Sequence, residues 1–479
     1  MSSDLKKYLA VVGHFYQPPR HHPFTGKIPR EILNGQYRNY NELITAQCYR
    51  PLAEGGIFGL ISFDLGPTLA SWIEANAPDV DYQVKKSVYE HHGAYGCSPA
   101  LAQPYNHSIL PLLSNRDKRI QVAWGLSDYK HRFGLKAKGM WLPETAVDLT
   151  TLEIMSDFGI QFTVLAPWQA IGVIDHQEPA YRIDLPNGKH IVAFFFDEGL
   201  NRAVSCNESE YLTVNADTFS QEVLCRQFTE KTGLAIIASD GETYGHHHQF
   251  RDMFLHCLLT VSARNHGFEP ITLARYYHEK FQIEPPGKTI RIIDGSSWSC
   301  WKGVKRWSIG GDSECGLIGC GDCHGPSYRL ALQETFRPLA DKIDKIFEEW
   351  TTGILKDPWK AAEKYIEVVS GGQSLENFLS NQGLSHRTEL EKRITKLLLE
   401  AFYLRQEMFT SCVFFWGNQP RIETARGVVV AKAAIQKVRE ATLIDLTPTL
   451  EEGLSKCQIN GRNLYDLSQE CWRELSRAA

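Results

Sequence analysis

Ile236-Ile237-Ala238-Ser239-Asp240-Gly241-Glu242-Thr243-Tyr244-Gly245-His246-His247-His248 is the stretch on which the fold turns. The apolar run from Leu234 to Ala238 stops abruptly at two carboxylates, two glycines and three consecutive histidines. A buried strand has this form when it delivers functional groups to its C-terminal end. Asp240 and Glu242 both reach that end, and the glycines let the backbone turn there. The competing reading is a polar turn between strand and helix whose groups only cap and solvate. The density of titratable groups favours a site, because active sites gather such groups.

Working outward, other apolar runs also end in polar residues. Tyr8 to Val12 leads to Gly13-His14, Ile57 to Phe63 to Asp64, Lys138 to Leu142 to Pro143-Glu144, and Ile191 to Phe196 to Asp197. Phe162 to Pro167 is a further strand candidate. Amphipathic segments such as Leu149 to Phe158 and Phe250 to Ala263 lie between them. Strand and helix patterns in alternation predict parallel βα units, and several strands with functional ends predict a barrel. After residue 295 the texture changes. Gly295 to Gly325 is rich in Gly, Trp, Ser and Cys, and from Pro326 onward the spacing is helical, in Leu330 to Trp350, Arg387 to Phe409 and Ile422 to Leu443, with a break at Ser370 to Ser374. The expected organisation is an α/β barrel-like domain over 1–295, then an irregular segment and an all-α domain over 296–479.

The bulk numbers suit a large globular chain. The 479 residues are 43% hydrophobic and 22% charged, and 51 Lys and Arg against 56 Asp and Glu give a net charge of −5. No global basic field points to nucleic acid or acidic lipid. The N-terminus lacks the apolar core of a secretory signal and no stretch has the length of a membrane span, so a cytoplasmic protein without a membrane partner is expected. The twelve cysteines then read as reduced thiols. Cys300, Cys315, Cys320 and Cys323 cluster in the irregular segment, where a structural Zn²⁺ is the alternative to thiols in a Gly-rich loop. No other cofactor is implied, and oligomeric state is not legible.

Trp141-Leu142-Pro143-Glu144 is the second focus. Trp141 would offer a stacking surface beside a carboxylate, although Glu144 equally suits the N-terminal cap of the following helix. One strand-end carboxylate at Glu144 and another at Asp240 are the minimum equipment for glycoside cleavage, in which one attacks the anomeric carbon and the other protonates the leaving oxygen. His14 and Gln17, in His14-Phe15-Tyr16-Gln17-Pro18-Pro19, are placed to bond sugar hydroxyls, or else form a core histidine and a turn. Gln103-Pro104-Tyr105-Asn106-His107 opens an apolar segment, with Asn106 or Ser108 as a helix cap or a binding group.

The ordered set HFYQP, HSILPLL, WLPE, SDGETYGHHH and GSSWSCWKGVKRW resembles glycoside hydrolase family 57, over residues 8–310, and within it a branch typified by AQPYNHSILPL and MFTSC. The resemblance implies a distorted (β/α)7 barrel followed by a helical domain, and an α-glucan-active enzyme that retains configuration, of amylase, 4-α-glucanotransferase or branching type. It implies Glu144 as nucleophile and Asp240 as acid/base. His14, Gln17, His107, Trp141, Glu242, His246, Trp298 and Trp307 would form the substrate site. Two departures bear on substrate choice: Tyr16 stands where the first motif has a second histidine, and the usual glutamate of the second motif is not found near His92 to Gly96. A retaining pair needs its carboxyls about 5–5.5 Å apart, with the proton affinity of Asp240 raised by burial and by the charge on Glu144. Two readings from other classes stand beside this one: a metal-dependent carbohydrate deacetylase on a related barrel, with His14, Asp240, His246 and His248 as metal ligands, and a catalytically silent glucan-binding protein.

Overall fold

The computed structural model describes the chain outside residues 1–5, 32, 34–35, 206–214, 231–232, 310–327, 417–421, 457, 460–461 and 478–479. The strands of interest are β1 (Lys7–Phe15), β2 (Ser62–Leu65), β3 (Ala100–Leu101), β4 (Phe162–Leu165), β5 (Ala170–Ile171), β6 (Ala180–Asp184), β7 (His190–Phe195), β8 (Gly233–Asp240), β9 (Phe268–Pro270) and β10 (Arg291–Ile292). The chain packs as two compact units. The first takes Met1–Gln17, Gly35–Gln103 and Arg132–Trp298; the second takes Pro18–Asn34, Pro104–His131 and Ser299–Ala479. The sequence places a single boundary at 295/296, whereas here two earlier segments also belong with the C-terminal half.

The first unit is a mixed α/β body with a mainly parallel sheet. β1 is its centre. It pairs in parallel with β8 from Lys7↔Gly233 to His14↔Asp240. Its other edge takes β9 at the start and β2 at the end, from Val12↔Ser62 to Phe15↔Leu65. β2 pairs with β3. β4 and β7 pair in parallel, with β6 antiparallel on the far edge of β7. Among the described residues these pairings fall in separate sheets and not in one closed sheet. The expected strand over Lys138 to Leu142 contributes only the single parallel bridges Ala102↔Met140 and Gly139↔Phe162. Gly139 lies under the Phe162 ring, where a Cβ would collide, and Pro143 ends the segment by removing a donor. The run from Ile57 likewise starts as a 3-10 turn (Ile57–Gly59) before β2 begins at Ser62.

Side-chain alternation explains how this sheet builds a site. Tyr8, Ala10 and Val12 of β1 share one core cluster with Leu234, Ile236 and Ala238 of β8, Phe162 and Val164 of β4, and Val192 and Phe194 of β7. Leu9 and Val11 are fully buried on the opposite face, so β1 is apolar from Tyr8 to Val12, as a strand covered on both faces must be. Continuing the two-residue period past the core brings His14 and Asp240 to the C-terminal end of the same face.

Helices cover the sheet where local signals permit. Pro67–Asn76 and Pro78–Tyr95 each start with proline at the first turn. Leu149–Asp157 is capped by Asp148, whose Oδ1 accepts from Thr151 N at 2.8 Å. The amphipathic segment after Phe250 is one helical run with a π-turn at Leu258–Ser262. No helix among the described residues is long and apolar enough to cross a membrane.

The second unit is helical, built on Tyr328–Thr351, Glu389–Glu407, Ile422–Thr442 and most of Asn115–Phe133. Thr388 and Glu391 form a capping box at the start of Glu389–Glu407. Buried charges cross its core in pairs. Arg405 lies 2.8 Å from both Asp117 and Asp344, and Arg426 lies 2.7 Å from Glu407.

Candidate active site

The site begins with three residues in one row across the sheet. Register places His14 of β1 beside Asp64 of β2 on one side and Asp240 of β8 on the other. His14 Nδ1 lies 2.9 and 3.1 Å from the two Asp64 oxygens. A carboxylate only accepts, so Nδ1–H donates. Gln103 Nε2 donates to Asp64 Oδ2 at 2.9 Å. Asp64 is wholly buried and His14 nearly so. Burial alone would pull the imidazole down, but the Asp64 carboxylate, with Asp240 and Glu242 adding to it, raises His14 to about 9. Burial also pushes the Asp64 carboxyl up, opposed by His14. The His14 and Asp64 groups thus favour each other's charged forms.

Asp240 ends β8 with its side chain open to solvent, yet the density of protein around it raises its carboxyl, with His14 pulling the other way. Glu242 is buried two residues on. Tyr49 Oη donates to its Oε1 at 2.5 Å and Gln17 Nε2 donates to the same oxygen at 3.4 Å. Burial, then the Asp240 charge, raises Glu242 to about 7, against the Tyr49 bond.

The turn between these carboxylates is set by close packing. A Cβ on Gly241 would enter the Phe15 ring, and Gly245, at φ +138°, lies against the backbone of Gln47. Cys48 Sγ donates to Gly241 O at 3.4 Å. His246 Nδ1 meets Gln47 Oε1 at 2.7 Å, and the backbone N–H groups of His246 and His247 both donate to Glu242 O. Among the described residues no group of three or more His, Cys, Asp or Glu is arranged to hold a metal ion.

Glu144 occupies a strained turn. Its φ is +57° and that of Thr145 is +48°, two consecutive non-glycine residues in a region costing about 1–3 kcal/mol each. Such strain persists only where surroundings enforce it. Buried Gln169 supplies the clamp: Nε2 donates to Thr145 O at 2.8 Å and to Ser296 Oγ at 3.2 Å, while Oε1 accepts from Thr145 Oγ1 at 2.8 Å and Ala166 N at 2.9 Å. Trp298 N donates to Glu144 O at 3.1 Å, and Trp298 Nε1 to Glu144 Oε2 at 3.2 Å. Because Asp148 caps the helix that follows, Glu144 is not that cap.

Trp141 is fully buried. Its ring stacks on His14 (centroids 5.3 Å, 20° between planes) and meets the Trp298 ring edge-on at 5.0 Å. Trp298 is part-buried and also edges His14 at 6.3 Å. The structure thus joins His14, Gln17, Trp141, Glu144, Asp240, Glu242, His246 and Trp298 within the first unit.

His107 and Trp307 belong to the second unit. His107, at φ +53°, places Nδ1 2.6 Å from Ser411 Oγ, and Ser108 bridges Thr410. The stretches HSILPLL and MFTSC therefore meet. Trp307 is fully buried, with Gln333 Nε2 on its carbonyl at 3.1 Å. Neither Asn106 nor Ser108 caps a helix: Ser114 Oγ accepts from Asp117 N, and Asn106 Oδ1 accepts from Gln121 Nε2. Cys300 is buried, while Cys315, Cys320 and Cys323 lie outside the described residues.

Asp64, Gln103, Tyr49 and Gln169 are contributors that sequence reasoning did not assign. Asp64 had a signal, as the polar end of the run from Ile57, and Gln103 lies in AQPYNHSILPL. Tyr49 and Gln169 had none, since each acts on a partner far away in the chain.

A family model described as glycosyl hydrolase family 57 matches residues 3–290, and one described as a domain of unknown function (DUF3536) matches residues 327–477. The chain belongs to glycosyl hydrolase family 57. It is 24% identical over 180 residues to alpha-amylase 1 of Dictyoglomus thermophilum, a match that spans 37% of this chain and 24% of that protein. Among solved structures it resembles an exo-type maltose-forming amylase from Pyrococcus sp. ST04 (TM-score 0.73, 16% identity, covering 98% of this chain and 88% of that one). It also resembles a branching enzyme from Thermococcus kodakaraensis (0.56, 15%, 99% and 94%) and a 4-alpha-glucanotransferase from Thermococcus litoralis (0.55, 16%, 91% and 60%). At these identities the structural likeness establishes the fold.

Proposed function

We propose that the protein cleaves or transfers α-glucan chains with retention of configuration, through a glycosyl ester on Glu144. The observation that carries the reading is that an accessible carboxyl, Asp240, stands beside His14, whose ring meets Trp298, the residue that holds a second carboxyl, Glu144, on a strained, clamped turn. Glu144 attacks the anomeric carbon while Asp240 gives its proton to the leaving oxygen; Asp240 then takes a proton from the incoming water or sugar hydroxyl. Burial favours the protonated acid in the first step. Esterification neutralises Glu144 and so lowers the proton affinity of Asp240 for the second. Glu242, clasped by Tyr49 and Gln17, braces the turn that follows Asp240. The chemistry requires no cofactor.

The broken ring of parallel strands supports a distorted seven-stranded barrel. The bridges at Ala102↔Met140 and Gly139↔Phe162 link β3 to β4, and Asp197 N donates to Ile236 O at 2.8 Å, linking the end of β7 to β8. The α-glucan preference rests on the substrates named for the similar amylases, glucanotransferase and branching enzyme. Product analysis on a panel of α-glucans tests the reading. Turnover should appear with at least one glucan and vanish in both Glu144→Gln and Asp240→Asn. Full activity in either variant would remove that residue from the mechanism.

A further inference from the structure

Asp64 has no part in the steps above, yet it is a fully buried carboxylate in the same row as the reacting groups. We propose that Asp64 is a positioning residue that holds His14 as an imidazolium beside Asp240, so that a fixed positive charge sets the proton affinity of the acid/base. The inference rests on the assignment of Asp240 to that role.

The geometry carries it. In-register pairing puts the three side chains at one level of the sheet, with His14 between the two carboxylates. Both Asp64 oxygens lie within hydrogen-bond distance of Nδ1, and Gln103 adds a donor to one of them. A buried carboxylate without a paired charge costs several kcal/mol, so Asp64 strongly favours the protonated ring. The Trp141 face stacked on His14 favours it too, by cation–π attraction.

The groups facing His14 can be named element by element. Asp64 comes from β2, and Asp240 and Glu242 from β8 and its turn. Tyr16 stacks at 6.1 Å from β1's own continuation, and Trp298, which bonds Glu144, meets the ring edge. Apart from His14 these are acids, a phenol and indoles, so His14 is the cation among them. Its role follows from the two half-reactions. The crowded setting of Asp240 favours the acid needed first, but the second step requires the carboxylate, and a neighbouring cation lowers the cost of forming it. Nothing titrates away during turnover, because the proton stays on His14 through the working range.

Histidine-labelled NMR of the whole protein reads this directly, with His14→Gln supplying the assignment. In the wild type, His14 should remain protonated on both nitrogens well above neutrality. In Asp64→Asn its midpoint should fall by about 1–3 pH units, the change expected on losing an adjacent opposite charge. In kinetics, Asp64→Asn should move the alkaline limb of kcat/KM upward by about one pH unit, because Asp240 holds its proton longer beside a neutral ring. Asp64→Glu should restore much of the wild-type limb. A residue that merely braced the strand would lower kcat and leave both midpoints in place.

A wild-type His14 that titrates near the ordinary imidazole value overturns the proposal without any variant needing to fold. An unshifted limb in a folded Asp64→Asn protein overturns it as well. The NMR arm needs no turnover, so absence of glucan activity would count against the proposed function and not against the Asp64–His14 pair.

Discussion

Gln169→Leu is the perturbation that most sharply separates the strained turn from an ordinary one. Leucine fills much the same volume and removes all four hydrogen bonds of the clamp. The hydroxyls of Thr145 and Ser296 can rotate toward other partners, but Thr145 O and Ala166 N are backbone groups fixed in the interior. Each buried group left unsatisfied costs about 1–3 kcal/mol, so about 4 kcal/mol in all is expected. For a unit of this size that corresponds to a fall of about 8–16 °C in Tm. The turn itself has a second route. Released from the clamp, Glu144 and Thr145 can leave their left-handed conformation and recover strain, which moves the nucleophile. A displacement of about 1 Å costs about 100-fold in rate. The assays are thermal unfolding by circular dichroism and glucan turnover well below the transition. The expected result is a lower Tm with kcat reduced far more than KM is raised. Wild-type Tm and wild-type kcat together would refute the claim that Gln169 enforces the turn.

The stability that Glu242 and His14 contribute should fall as pH rises from acid to alkaline conditions. Glu242 has a folded value raised to about 7 by burial, so it contributes stability when protonated and loses it as pH climbs from its unfolded value. A tenfold change in proton affinity is worth about 1.4 kcal/mol, so Glu242 accounts for a loss of about 3 kcal/mol between roughly pH 4.5 and pH 7. His14, raised to about 9, contributes stability that is full below its unfolded value and is lost through pH 9. Denaturant unfolding of the wild type and of Glu242→Gln across this range checks the Glu242 contribution. The stability of the wild type relative to the variant should fall by about 3 kcal/mol between roughly pH 4.5 and pH 7, and parallel curves would contradict the assignment. In the helical unit, Arg405→Met should destabilise by about 3–5 kcal/mol by stranding Asp117, as breaking a buried pair does, while Asp344 keeps Arg116. Replacing Asp117 by leucine in that background should recover most of the loss, and failure to recover would show that the ion pair is not the source.

Much of this was legible because strands buried on both faces write themselves as uninterrupted apolar runs. Tyr8 to Val12, Phe162 to Leu165, Ile191 to Phe196 and Leu234 to Ala238 all form strands close to where the runs stand. The segment at Lys138 to Leu142 reads as the same kind of run, but tight packing at Gly139 and the following proline leave it with single bridges. The helix Asn115–Phe133 was not legible. Its charged and apolar residues do not separate into faces, because several of its polar groups, such as Asp117 and Gln121, are themselves buried against Arg405 and Gln406.

The candidate site divides in the same way. Asp240, Glu242 and Glu144 announce themselves as carboxylates at strand ends. Trp141 reads from sequence as an open sugar platform, but in the structure it is enclosed and supports the His14 ring instead. Whether a side chain at a strand end faces the cleft or backs the residue that does depends on its neighbours in space. Asp64 shows the converse: it reads as an ordinary strand terminus until register sets it beside His14.

The central claim is that Glu144 forms the covalent bond and Asp240 handles the proton. Incubating Asp240→Asn with α-maltosyl fluoride tests it most directly. Fluoride leaves without a proton, so the first step proceeds, while loss of the base stalls the second. Mass spectrometry of the digested protein should then find a maltosyl ester on the peptide that contains Glu144. A maltosyl ester on a different carboxylate, or release of β-configured maltose with no adduct at all, would contradict the account.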